Sequence, residues 1–153
     1  MFNSRIGLIA VILWVATAGV FSWFFVHGNT EVGSDGRNAI VLEAGERSLI
    51  LGEMRSLLVA TQGVVQGIQQ NDMKHVAQSA RAVGMASAVD VNPALMAKLP
   101  LEFKSLGMSV HHDMDDLAAA AESGKPAPEL LGMLSTTMSK CVACHSAWQL
   151  KAN

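Results

Sequence analysis

From Ile6 to Val26 the chain reads IGLIAVILWVATAGVFSWFFV, 21 residues without a charge. Wound as a helix, that run spans roughly 31 Å, about the thickness of one hydrocarbon core. Residues 6–26 therefore read as a transmembrane anchor separate from the domain that follows. Arg5 precedes the run and Glu31 is the first charge after it. A basic N-terminal flank assigns residues 1–5 to the cytoplasm and the rest to the exported side. The expected setting is a single pass through a bacterial inner membrane, with the folded part in the periplasm. Trp14 and Trp23 suit an interfacial belt. A cleaved signal peptide shares the basic start and apolar middle, and ATA at 16–18 offers small residues at cleavage spacing. Cutting there leaves GVFSWFFV as an apolar new terminus. The retained anchor is the favoured reading, and export follows under both.

About 125 residues remain, enough for one domain with a real core. Beyond the anchor, 13 acids face 10 bases, a balance of −3 with neutral histidines. There is no basic run, so nucleic acid is excluded as an expected partner. Residues 27–41, HGNTEVGSDGRNAIV, are rich in Gly, Asn, Ser and Asp and read as a linker.

Residues 42–153 show helical periodicity, with no strand-like alternation and no repeat. A first helix over about 42–70 carries Ile50, Met54, Leu57, Thr61, Val64 and Ile68 on one stripe. Asn71 and Asp72 turn the chain and cap a second helix at about 73–88. The segment 91–100 is a connection with a short turn after Pro93. A third helix, about 101–122, aligns Phe103, Leu106, Val110, Met114, Leu117 and Ala121. Gly124, Pro126 and Pro128 break it before a fourth helix at about 129–150. Four amphipathic helices on mostly short loops predict an all-α, antiparallel up-down-up-down four-helix bundle behind the N-terminal transmembrane helix.

Both cysteines of the chain fall within KCVACHSAW, residues 140–148. Cys141-Val-Ala-Cys144-His145 matches the C-x-x-C-H pattern of covalent c-type haem attachment. On a helix, positions 141, 144 and 145 lie within about one turn on one side. Both sulfurs then reach one haem edge as thioethers, and the His145 imidazole reaches the iron. A disulfide would strain a four-residue loop inside a helix. A thioredoxin-like pair needs a βαβ setting, and a structural zinc site needs two further ligands. One covalent haem c is the expected cofactor.

A C-x-x-C-H near the end of the fourth helix resembles the class II c-type cytochromes, the cytochrome c′ family and its methionine-ligated relatives. The resemblance covers about residues 42–150 and rests on Cys141, Cys144 and His145. It implies a periplasmic monohaem protein that carries single electrons rather than a turnover enzyme. Two alternatives stay open: five-coordinate iron that binds NO or CO, and a haem subunit of a larger membrane complex.

The second axial position separates those readings. Antiparallel order puts the early part of the first helix opposite His145, which makes Met54 the leading sixth ligand, in agreement with the resemblance. Met108 and His111 are the other candidates, and a plain core methionine is the bland reading of Met54. Among Arg47, Arg55 and Arg81, Arg55 beside Met54 is the chosen contact for a haem propionate. Trp148 is expected to pack against the ring. HHDMDD at 111–116 offers His111/Asp115 and His112/Asp116 as i,i+4 pairs for a surface metal, but a solvated face with His111 toward the core edge is preferred. Expected partners are redox proteins in or at the membrane; pairing of two copies stays open.

Overall fold

The computed structural model describes residues 4–88 and 92–153. Residues 1–3, part of the segment assigned to the cytoplasm, and residues 89–91, where the connection before Pro93 begins, lie outside the described residues. The chain is mostly helical, with six α-helices and a small sheet among the described residues. Helix α1 (Ser4–His27) is the apolar segment. It is long and apolar enough to cross a membrane, and its most apolar stretch is not buried inside the rest of the chain.

Strands β1 (Thr30–Val32) and β2 (Asn38–Leu42) follow, then helix α2 (Ala44–Gln69). Glu43 caps α2 in a capping box, its own N–H donating to Glu46 Oε2 at 2.9 Å. Such a box satisfies two N–H groups that helix geometry leaves unpaired. Along α2, Ile50 and Val64 of the expected stripe are buried, together with Ala60, Gly63 and Gly67. The two glycines let helix α3 (Met73–Arg81) pack close. A Cβ on Gly67 would stand 2.7 Å from Val76 Cγ2 and 2.9 Å from the Val76 nitrogen. Asn71 turns the chain at φ 55°, and Asp72 caps α3 by accepting from His75 N at 2.9 Å.

Helix α3 is shorter than the expected 73–88 because the chain turns to dock on a later helix. Gly84 lies so close to Asp115 that a Cβ would meet its Oδ1 at 2.0 Å, and Met85 N donates to Asp115 Oδ2 at 2.8 Å. A 3₁₀ turn (Met85–Ala88) follows. Asn92 then caps the short helix α4 (Pro93–Lys98). Helix α5 (Leu101–Glu122) matches its expected span and ends before Gly124, which takes φ 77°. Helix α6 (Ala127–Ala147) starts two residues earlier than expected, because proline costs no hydrogen bond in a first turn.

Two expectations are corrected. Residues 27–41, read as a linker, hold β1 and most of β2, and the last helix does not run to 150. Trp148–Ala152 instead forms strand β3, parallel to β2 with Trp148 opposite Asn38 and Ala152 opposite Leu42. Strand β1 pairs with β2 antiparallel, so the order is β1-β2-β3. Ile40 and Leu42 are fully buried there. Burying such a side chain contributes about 1.5–3 kcal/mol, enough to hold a short strand whose partner lies at the other end of the chain.

The apolar interior falls into two clusters. Residues of α2, α3, α5 and α6 share the larger, around Val64, Val76, Met114, Leu117, Leu130 and Leu134. The smaller gathers Ile40, Leu42, Ile50, Leu95, Leu99 and Phe103, with Met54, Cys144, Trp148 and Leu150 packed against it.

Candidate haem-attachment site

Cys141, Cys144 and His145 occupy the last two turns of α6. One turn earlier the helix is fixed to α5 through Asp113. Thr137, which is buried, donates to Asp113 Oδ2 at 3.2 Å, and Lys140 Nζ lies 2.6 Å from the same oxygen. These contacts set the rotation of α6 and so the direction of the motif. Cys141 is exposed, Cys144 half-buried and His145 exposed.

Two clefts border the motif. The larger, about 280 Å³, is walled by Met54, Leu51, Phe103, Cys144, His145 and Trp148, with Arg37 and Arg47 among its lining. The smaller, about 110 Å³, lies between α2, α5 and α6 and reaches Met54, Leu57, Val110, His111, Cys141 and Cys144. Met54, Phe103, Cys144 and His145 border both. Met54 and Phe103 reach the motif from α2 and α5. The Phe103 and Trp148 rings meet edge to face, with centroids 6.2 Å apart. Trp148 thus lies against the cleft, and it stands on β3 and not on the helix.

Arg55 is not part of this site. It lines a separate groove against α3, with Val59, His75 and Ser79. The reason is angular, since the residue after Met54 is turned about 100° around the helix axis. Arg47 precedes Met54 by seven residues, two turns, and therefore shares its face; its Nε donates to the Leu150 carbonyl at 3.1 Å. Arg37, from the segment read as a linker, is the second rim cation. Its Nη1 donates to the carbonyls of His145 at 3.1 Å and Trp148 at 3.3 Å, while Asp35 holds its Nε at 2.8 Å. Those Arg37 hydrogen bonds hold the Asp35 carboxyl below its ordinary range. Arg81 is elsewhere, bonded to Glu122 at 2.8 Å. Sequence spacing alone signals Arg47; nothing local signals Arg37.

Of the other axial candidates, Met108 lines a neighbouring cleft that does not reach the cysteines. His111 is buried, with Nδ1 2.8 Å from the Val83 carbonyl. A carbonyl can only accept, so Nδ1 carries the hydrogen and Nε2 keeps its lone pair in the neutral ring. His112 and Asp116 are exposed, and Asp115 is engaged by Met85 N. Among the described residues no three His, Cys, Asp or Glu side chains gather as a metal site.

The two thiols are unbridged. Burial pushes both up from the ordinary thiol value, and Cys141 adds to the effect at Cys144. A thiol raised in this way is a poor match for a thioredoxin-like pair, whose attacking sulfur is a stabilised thiolate. The donor set fits a haem better. Two thiols on one helix face stand next to an imidazole, a thioether approaches from α2, and apolar walls and two rim cations surround them. No family model, curated protein or solved structure matches the chain.

Proposed function

We propose that the chain is a membrane-anchored monohaem c-type cytochrome that carries single electrons, similar to the class II group. The observation that carries the reading is the convergence on one pair of clefts of Cys144 and His145 from α6 with Met54 from α2. Cys141 and Cys144 would hold the haem through thioethers, and His145 and Met54 would be the side chains available to its iron. Bound there, a haem supplies a one-electron iron couple. The protein's part is to fix the ligands and keep water from the ring. Phe103, Leu57 and Val110 provide apolar walls, and Trp148 covers the side toward β3. Arg37 and Arg47, in place of Arg55, are the cations available to propionates.

Within this reading α2, α3, α5 and α6 form an antiparallel four-helix bundle, supported by the larger of the two core clusters, to which all four contribute. The exported side is the periplasm, on the strength of Arg5 before the anchor. Ligation is tested on purified full-length protein by electron paramagnetic resonance and the optical spectrum of the oxidised form. Low-spin iron in the parent that turns high-spin in Met54→Ala supports Met54 as ligand. High-spin parent iron that binds CO when reduced favours the gas-binding alternative, and an unchanged low-spin signal in Met54→Ala moves the ligation to another residue.

A further inference from the structure

Helix α1 leaves the domain through a built junction, not a loose segment. Lys104, on the first turn of α5, is 7% exposed. Its Nζ donates to the Phe25 carbonyl of α1 and to the Met96 carbonyl of α4, both at 3.1 Å, and lies 4.0 Å from the centre of the Phe25 ring. Both carbonyls belong to last turns, where a helix has unpaired oxygens and a negative dipole end. One ammonium therefore joins two helix ends. The backbone repeats the link, since Asn29 N donates to the Lys98 carbonyl at 2.7 Å and Val41 N to the Asn29 carbonyl at 2.9 Å. Gly28 takes φ 64°, and a Cβ there would stand 2.5 Å from the Lys98 oxygen.

The same pole of the domain carries the motif. Phe103, next to Lys104, meets Trp148, and β1, β2 and β3 connect the end of α1 to the end of α6. Two apolar side chains stand exposed there, Val32 at 82% and Leu101 at 39%.

We propose that α1 is clamped to the domain, and that the pole bearing Cys141, Cys144 and His145 is thereby held against the headgroup layer of the membrane α1 spans. The inference rests on α1 being an anchor. Combined with the electron-carrier reading, it puts exchange at the membrane face, with a partner embedded in that membrane.

The test uses the full chain in lipid nanodiscs, with bimane on Ser34→Cys at the motif pole or on Lys125→Cys at the opposite end of α5. The length of α5 separates the two ends by about 33 Å, well beyond collisional range. Emission is compared with and without a lipid bearing a nitroxide on its headgroup, a ratio that cancels fixed quenching by a haem. The expected result is a severalfold loss at position 34 and none at 125. Equal losses, or loss only at 125, overturn the proposal. A six-residue Gly-Ser insertion between Gly28 and Asn29, combined with Lys104→Gln, lengthens the chain at the junction and removes the ammonium from the Phe25 and Met96 carbonyls, and should abolish the contrast. A contrast that survives the insertion also overturns it. The colour of the same samples reports haem separately; in a colourless sample the labels are placed in a Cys141→Ala/Cys144→Ala background, so that only the introduced thiol reacts and a failed orientation and a failed haem reading are distinguishable.

Discussion

Gly67→Ala isolates the closeness of α2 to α3. In an open helix this exchange stabilises by about 1 kcal/mol, because glycine is the poorer helix former. At position 67 the new methyl meets Val76 Cγ2 at 2.7 Å, Val76 N at 2.9 Å and the Asp72 carbonyl at 3.1 Å. Two of these are backbone atoms and cannot rotate away. Val76 is fully buried, and a β-branched side chain in a helix has few rotamers to escape into. The Asp72 N–H is also bonded to the Gly67 carbonyl at 2.8 Å, which holds the turn in place. Overpacking of this kind costs about 1–3 kcal/mol, and an immovable neighbour puts it in the upper part of that range. The net expectation is a loss of about 1–2 kcal/mol, or several degrees in Tm for a domain of this size. Gly132→Ala is the internal control, since a Cβ there meets nothing within 4 Å and helix propensity should raise stability. Thermal unfolding of the detergent-solubilised chain by circular dichroism measures both. A Gly67→Ala protein as stable as its parent would refute the close packing of α2 on α3.

Three further outcomes follow from particular contacts. Leu117→Ala, at a fully buried position, should cost about 2–5 kcal/mol in denaturant unfolding, whereas Leu131→Ala, at 44% exposure, should change little. The Lys98 ammonium at 2.7 Å, followed by the Glu43 N–H, holds the Glu46 carboxyl below its ordinary value. Its stabilisation is therefore full above the unfolded carboxyl value of about 4.3 and lost as pH falls through the lower folded value. Melts of Glu46→Gln should trail the parent at pH 7 and converge with it in acid; a gap constant with pH contradicts the assignment. If the proposed haem is bound, removing a rim cation disfavours its reduced, less positive form, so Arg47→Gln should lower the midpoint potential in a redox titration. Arg55→Gln should leave it unchanged, and the reverse pattern would restore Arg55 to the site.

Much of this architecture is legible in the chain, and the parts that are not share a cause. The stripe on α5 repeats over about five turns and the apolar run of α1 is uninterrupted, so both spans follow from local pattern. Asp72 and Pro93 signal their helix starts by local chemistry. Strand β2 gives no such signal, because NAIVL is five residues long and its partner β3 lies over a hundred residues away. The same pairing ends α6 at Ala147, against a helical period that continues through Trp148. At the site, Met54 and the motif are reachable from spacing, since both lie on helices whose faces can be counted. Adjacency in sequence does not put Arg55 on the face of Met54, because each residue turns about 100° around the helix, and Arg37 reaches the motif through a fold-back that the sheet supplies.

The central claim is that Cys141 and Cys144 hold one haem covalently, and intact mass spectrometry tests it most directly. The full-length chain, made in a host able to attach haem, should be heavier by one haem and stay coloured after denaturation. Replacing both cysteines by alanine should remove the covalent mass. A colourless protein with the mass of its amino acids alone would contradict the account.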